Sequence, residues 1–355
     1  MTPALDDSAF RGQIQETLDA WVAEQERRLA PLGADARRLV EAAREALGGG
    51  KRLRAAFCYY GYLSVAGPAV DQGALLRACA SLEVLHASAL VHDDYMDASE
   101  TRRGRPSTHR AFASQHHQHG MHGDAERFGA AAAILLGDLM LSWADEMLRS
   151  CGLAEDRVAA ALAILDHTRS EVIVGQFLDV SIQARGHGTV DEAMQVLRYK
   201  SAKYSVERPL HLGATLAGAD AATIEELTAF GLPVGEAFQL RDDLLGVYGD
   251  PAETGKPAGD DLVEGKRTVL IAMAQAHGSP INAHRIDAAL GRRLTPAEVN
   301  EIRDLIERTG ARAEVEQLIE KLTSSALYAL EASALAEPGR SALRELAIAA
   351  TRRRV

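Results

Sequence analysis

Apolar residues recur three and four positions apart along most of this chain, with few β-branched runs between them, and that period commits it to helices. The spacing predicts helices near 8–29, 33–46, 52–65, 72–97, 127–150 and 156–182. Further ones follow near 190–202, 205–217, 222–248, 266–276, 296–306, 310–330 and 339–353. Aromatic residues make up only 5 %, which also favours helix over sheet. Gly67-Pro68, Gly231-Leu232-Pro233 and Gly278-Ser279-Pro280 read as punctuation, and Pro296 suits a first helical turn. No long Gly/Ser or Pro linker divides the 355 residues. One helical domain over 1–355 is therefore expected, with peripheral helices at 1–30 and 295–355.

A formal charge of -11 argues against nucleic acid as a partner, because a phosphate backbone would be repelled. It leaves small phosphorylated ligands open, since a local cationic cluster can dominate a pocket. Cys58, Cys79 and Cys151 share no metal-ligand spacing and suggest no disulfide framework. The opening MTPALDDSAFRGQ has no apolar run suited to a signal peptide. The most hydrophobic window, 130–141, is short and interrupted by Asp138, so no membrane crossing is expected there. A soluble, cytoplasmic protein is the expectation.

Two polar stretches, 100–127 and 249–267, read as loops, and each follows a pair of aspartates at a helix end. In the first pair's motif, Asp93-Asp94-Tyr95-Met96-Asp97, helical spacing sets Asp93 and Asp97 one above the other, with Asp94 turned by about 100°. Carboxylates so crowded repel unless cations neutralise them, and hard divalent cations bridge carboxylate to phosphate oxygen. A solvated helix end would carry the same residues. The second pair, Asp242-Asp243, is flanked by apolar residues on both sides, which fits an exposed charge run less well. Glu236 on the same helix can assist it or serve in a surface salt bridge.

Basic residues accompany both motifs. In Gly48-Gly49-Gly50-Lys51-Arg52-Leu53-Arg54 the glycines permit close backbone approach and the following helix start favours an anion. Lys51 and Arg54 can face one ligand while Arg52 points elsewhere; ordinary capping beside surface cations is the alternative. Arg102-Arg103-Gly104-Arg105 follows the first motif closely enough to fold back over it, with guanidinium forks suited to phosphate, or else as a solvated basic loop. His86 lies two turns before Asp93 and can donate to a phosphate oxygen or sit as a bonded core histidine. His116, His117, His119 and His122 form a histidine-rich patch that reads better as solvated loop than as a metal site. Tyr204, Glu207 and Arg208 read as structural or rim residues.

Taken in order, these segments resemble the trans-type isoprenyl diphosphate synthases over most of the chain, and an actinobacterial, geranylgeranyl-forming branch in particular. The resemblance rests on GGGKRLRA, EVLHASALVHDDYMD with RRGRPSTH, GDLML, GQFLDV, KSAKY, GEAFQLRDDLLGVYGD and TGKPAGDDLVEGKRT. Ala55 stands where the family's first box usually has proline, and Gly246 where a third aspartate is often found. The resemblance implies an all-α isoprenoid-synthase helical bundle around a central cavity, usually a homodimer, with both acidic motifs facing that cavity. It assigns Lys51, Arg54, His86 and Arg103 to isopentenyl diphosphate. Arg102, Lys200, Gln239, Lys256 and Lys266 would hold the allylic diphosphate. Asp93, Asp97 and Asp242 would bind magnesium, three ions in all with diphosphate bound, supported by Asp94 and Asp243, with Gln176 helping to position diphosphate or the metal's water.

The same resemblance implies that loss of diphosphate from the allylic substrate, attack by isopentenyl diphosphate and loss of a proton give a product five carbons longer. Ser88 and Ala89, one turn before Asp93, are small where farnesyl-forming relatives often carry bulky aromatics. That opens the floor of a chain-length pocket and favours geranylgeranyl diphosphate, while Met96 and Phe177 are candidates to close it lower down. A farnesyl or longer product, or a noncatalytic synthase subunit, are the other readings. A terpene cyclase lacks support, because no NSE metal motif accompanies the aspartates and a cyclase does not need the isopentenyl-binding set.

Overall fold

The computed structural model describes residues 8–249 and 259–352. They form an all-α helical bundle with one two-residue hairpin. The chain divides into two compact units, Met1–Tyr59 with Pro68–Leu162, and Tyr60–Gly67 with Ala163–Val355.

The first unit contains α1 (Ser8–Leu29), α2 (Ala34–Ala46), the start of α3 (Leu53–Ala66), α4 (Gln72–Met96), α5 (Thr108–Gln118) and α6 (Ala125–Arg149). Strands β1 (Thr101–Arg102) and β2 (Arg105–Pro106) form the hairpin between α4 and α5. Short polar side chains start the long helices: Asp71 accepts from Ala74 N–H before α4, and Asp124 from Arg127 N–H before α6. Largely apolar through its first five turns, α4 buries Leu75, Leu82 and Leu85 completely, each contributing roughly 1.5–3 kcal/mol by removal from water. It packs on α6, and at Gly137 of α6 any side chain would collide with the His92 ring. The three cysteines are free and buried; burial, then the neighbouring Cys58, pushes the Cys79 thiol up, which leaves it inert.

The second unit begins within α7 (Glu155–Arg185) and continues through α8 (Val190–Val196), a π-helical stretch (Leu197–Glu207), α9 (Arg208–Ala217) and α10 (Ala221–Tyr248). After it come the short α11 (Asp260–Glu264), α12 (Val269–His277), α13 (Pro280–Ala289), α14 (Pro296–Thr309), α15 (Ala311–Ala332) and α16 (Gly339–Thr351). Its centre is α10, packed against the π stretch and α15, with Leu240, Leu244 and Val247 meeting Leu270, Ile271, Ile306 and Ile319 in one core. Thr189 with Glu192, and Thr295 with Glu298, close reciprocal capping boxes at α8 and α14, the latter with Pro296 in its first turn as expected.

Five expectations change. Among the described residues the stretch 249–267 is not all loop, since α11 spans Asp260–Glu264. The stretch 100–127 is not one loop: it holds the hairpin and α5, because His109, Phe112, Ala113 and His116 form a buried stripe at helical spacing. The predicted break between 202 and 205 is absent. Backbone hydrogen bonds widen to a π turn there instead of ending, and the helix runs from Val190 to Ala217. Gly231-Leu232-Pro233 does not interrupt α10; bareness at Gly231 lets it pass Leu210 and the Glu207 backbone. Finally, α4 and α6 are each long and apolar enough to cross a membrane by length and composition. For α4 that apolarity belongs to the core, 78 % of its apolar window being buried; the share for α6 is 44 %.

Candidate active site

In the first unit, α4 carries His86, Asp93 and Asp94 towards its carboxyl end, and Asp97 caps it, its N–H bonding the Asp93 carbonyl at 2.8 Å. Asp93 and Asp97 are half-buried. Asp94 is different: it is 3 % exposed and accepts from Nε of Arg102 at 2.8 Å and again from a terminal nitrogen of the same guanidinium. The hairpin thus folds back over the helix end, as the spacing predicts, and the buried carboxylate orients the arginine. Ala98 and Arg103 adopt left-handed backbone at φ 52°, a conformation that non-glycine residues hold only where surrounding contacts enforce it.

The glycine-rich loop meets the hairpin through Arg103. Its Nη1 donates to the Gly48 carbonyl at 2.6 Å, and Gly50, at φ 99°, leaves the room its guanidinium occupies. Arg52 turns inward as expected, buried and bonded to the Leu47 carbonyl at 2.6 Å, to Gln15 and to Glu83. Glu83 also accepts from Ala55 N–H at 3.1 Å, so this buried carboxylate caps the start of α3. A proline at position 55 would lack that donor, which gives the departure from the family box a structural counterpart. Burial, then the charges of Arg54, Arg103, Arg102 and Arg52, holds His86 well below the usual histidine range. It is therefore held neutral, with four guanidiniums near enough to oppose a further positive charge, a setting that attracts an anion. Lys51 is exposed in the loop between Gly50 and Arg52.

In the second unit, Asp242 is half-buried and Asp243 buried, with Gln239 donating to Asp243 at 2.7 Å. Burial, then the neighbouring Asp261 and also Asp242, pushes Asp243 up to about 8, with Gln239 opposing. Lys266 reaches Asp261 at 3.1 Å. Lys200, in the π stretch, bonds Asp179 at 2.6 Å, and that pairing depends on Gly175, where any side chain would strike the Lys200 backbone. Gln176 is half-buried beside it on α7. Lys256 lies outside the described residues.

Among the described residues no three His, Cys, Asp or Glu side chains stand together as a metal cage. Magnesium does not require one: it keeps several waters and takes one or two carboxylates plus phosphate oxygens. Burial first, and then the neighbouring Asp261 and Asp242, raise Asp243; a cation beside these carboxylate oxygens would offset both, so the donor set fits such an ion. The histidine patch does not fit a metal. His116 is buried against Phe128 with Nε2 3.1 Å from the His122 carbonyl, and His119 Nδ1 is 2.8 Å from the Gln115 carbonyl.

The chain-length residues separate. Ser88 is buried and donates to the Gly137 carbonyl at 2.7 Å, which turns it towards α6, whereas Ala89 is half-exposed. Phe177, a candidate to close the pocket, is instead 68 % exposed on α7, in a stripe with Ile173, Val174 and Val180; Met96 is exposed too. Two residues here had no role in the sequence reading: Glu83 and Asp179. A lone acid in the apolar run ASLEVLHAS is the signal that could have found Glu83, since a buried charge demands a partner.

Two clusters, each pairing carboxylates with cations, on a helical bundle define a protein built to handle diphosphates. Residues 36–308 match the polyprenyl synthetase family, and the chain belongs to that family, the trans-isoprenyl diphosphate synthases. A geranylgeranyl pyrophosphate synthase from Corynebacterium glutamicum, solved with isoprenyl diphosphate and magnesium, superposes with a TM-score of 0.95 at 42 % identity, over 98 % of this chain and 100 % of that one. The (2E,6E)-farnesyl diphosphate synthase of Mycobacterium tuberculosis is 34 % identical over 74 % of this chain and 68 % of its own. The geranylgeranyl diphosphate synthase of the same organism is 33 % identical over 76 % of each.

Proposed function

We propose that this protein is a magnesium-dependent prenyltransferase that adds isopentenyl diphosphate to allylic diphosphates and makes chiefly geranylgeranyl diphosphate. The observation that carries the reading is that α4 holds both a neutral His86 ringed by arginines and, two turns on, the Asp93/Asp97 pair. An anion site and a cation site on one helix suit a reaction between two diphosphates.

In this reading Lys51, Arg54, Arg103 and neutral His86 hold isopentenyl diphosphate, which reacts through its double bond and keeps its diphosphate. Arg102, Lys200, Gln239, Lys256 and Lys266 hold the allylic diphosphate. Three of these groups are pre-oriented by acids, Arg102 by Asp94, Lys200 by Asp179 and Lys266 by Asp261, so little reorganisation is needed when charge develops on the leaving group. Magnesium held by Asp93, Asp97 and Asp242 would supply further neutralisation of that charge. The allylic C–O bond breaks, the isopentenyl double bond attacks the allylic carbon, and a proton leaves to the released diphosphate.

Product length rests on Ala89, small and half-exposed, and on likeness to the Corynebacterium geranylgeranyl pyrophosphate synthase. We further propose a homodimer, with the uncovered stripe Ile173, Val174, Phe177 and Val180 of α7 as part of its interface. A cytoplasmic location is part of the same proposal. Incubating the purified protein with isopentenyl diphosphate and five-, ten- or fifteen-carbon allylic diphosphates, with and without magnesium, tests the activity. A magnesium-dependent twenty-carbon diphosphate is expected; no elongation from any starter would leave a noncatalytic subunit, and light scattering reads the dimer.

A further inference from the structure

Two acids of α7 pair with cations of the helix that follows it. Asp179 bonds Lys200, and eight residues earlier Glu171 bonds both Lys203 and Arg208. Lys203 donates to Oε1 of Glu171 at 2.8 Å. Arg208 donates Nε to Oε2 and a terminal nitrogen to Oε1, both at 2.7 Å. All three residues are half-buried. Burial opposes a charge on Glu171, but the bonds from Arg208 and Lys203 outweigh it and hold the carboxylate down to about 2. The pairing is therefore ionised at neutral pH.

Lys203 and Arg208 are also joined through the backbone. The N–H of Arg208 bonds the carbonyl of Lys203, five residues back, and that bond closes the π stretch. In an α-helix, residues five apart are turned from one another by about 140° and point to different faces. One carboxylate gripping both side chains thus favours the wide turn over the regular one. Pro209, which follows, cannot donate to Ser205, so the α-helical ladder has to open here. A proline alone leaves the form of the opening undecided, since a kink would serve as well.

We propose that Glu171 is a positioning residue of the allylic site: by gripping Lys203 and Arg208 together it fixes the π turn, and the π turn sets where Lys200 points. The inference rests on the prenyltransferase reading, in which Lys200 holds the allylic diphosphate. Beyond the turn, α9 is anchored where Leu210 packs against Gly231 of α10. With α9 held, closing the π turn to an α turn would carry the preceding residues round by one position, about 100°. Lys200 would then leave Asp179. Glu207, the only acid within the stretch, lies 3.7 Å from Lys203, beyond hydrogen-bond length, and does not duplicate the grip.

The test is Glu171→Gln, which keeps the shape and removes the charge, compared with the parent in two ways. Hydrogen–deuterium exchange of peptides covering 197–209 reads the turn itself. Exchange there should speed up by roughly tenfold or more, the usual worth of a lost charge-assisted bond, with peptides of α12 and α15 unchanged. Steady-state kinetics read the lysine. KM for the allylic diphosphate should rise by roughly tenfold or more, since a misplacement of about 1 Å can cost about a hundredfold, while KM for isopentenyl diphosphate stays. Circular dichroism and a thermal melt show whether the variant folds. If it does not, Lys203→Met, which removes one grip and keeps the other, takes its place with the same expected changes. Unchanged exchange would mean that close packing at Gly175 and Gly235 holds the stretch without Glu171, and the proposal is overturned. Faster exchange with both KM values unmoved, or raised equally, makes Glu171 a structural residue only and overturns it too. Failure of the prenyltransferase reading is seen separately. The parent would then form no product and the link to substrate would fall, whereas exchange would still decide whether Glu171 holds the turn.

Discussion

Arg102 gives two nitrogens of its guanidinium to one oxygen of buried Asp94, so the middle acid of the first motif orients a cation while Asp93 and Asp97 stay half-exposed beside it. Of three acids in five residues, one is therefore committed to an arginine. Replacing Asp94 with Asn should weaken Arg102's hold and cost about 1–3 kcal/mol of stability, the penalty for stripping a charged partner from a buried bond. It should raise KM for the allylic diphosphate more than KM for isopentenyl diphosphate. Urea melts with steady-state kinetics check both; an equal rise in the two KM values would contradict the assignment of Arg102.

Glu83 makes a second prediction. It is 4 % exposed and meets both Arg52, 5 % exposed, and the Ala55 amide. Glu83→Ala leaves a buried guanidinium without its counter-charge, so about 3–5 kcal/mol should be lost. Glu83→Gln, which keeps an acceptor for Ala55, should lose less. Chemical denaturation of the two variants gives the comparison.

The chain-length proposal separates Ser88 from Ala89. Ala89→Phe adds bulk at a half-exposed site and should shift the main product from twenty to fifteen carbons with stability little changed. Ser88→Phe forces a ring against α6 and breaks the bond to Gly137, which should cost about 1–3 kcal/mol through overpacking alone. Product masses and thermal melts separate the two. A twenty-carbon product from Ala89→Phe would remove that residue from the pocket.

His211 predicts a pH effect on stability. Burial, then the charges of Arg208 and Lys203, lowers it to about 4, and Thr228 Oγ lies 3.0 Å from Nε2. The unfolded chain takes up this proton near the ordinary histidine value of about 6.5, whereas the folded chain does not until about 4. The unfolded state thus binds more protons in between, so stability is full above pH 6.5 and falls as pH drops towards 4, by up to about 3 kcal/mol in all. His211→Gln should flatten that part of the profile. Urea midpoints at pH 7.5 and 5.0 for both proteins measure it, and equal slopes would show that His211 is not the group responsible.

The sequence by itself determined the helices, since a 3.6-residue period shows in any run where one face must be apolar, and α1, α4 and α10 lie almost where it places them. It also brought together the acids and bases proposed to carry the chemistry, because DDYMD and RRGRP hold their residues within a turn or a hairpin of one another. It failed at α5, where histidines supply part of the buried face and disguise the stripe, and at the π stretch, whose widened turn leaves no compositional mark. Only the tertiary structure decided how the groups pair. Asp94 with Arg102 was within reach of local spacing, but Glu83 with Arg52, Asp179 with Lys200, and Asp261 in the space beside Gly246 join residues brought together by packing between helices. A charge buried by a neighbouring helix reveals its partner only when that helix is in place.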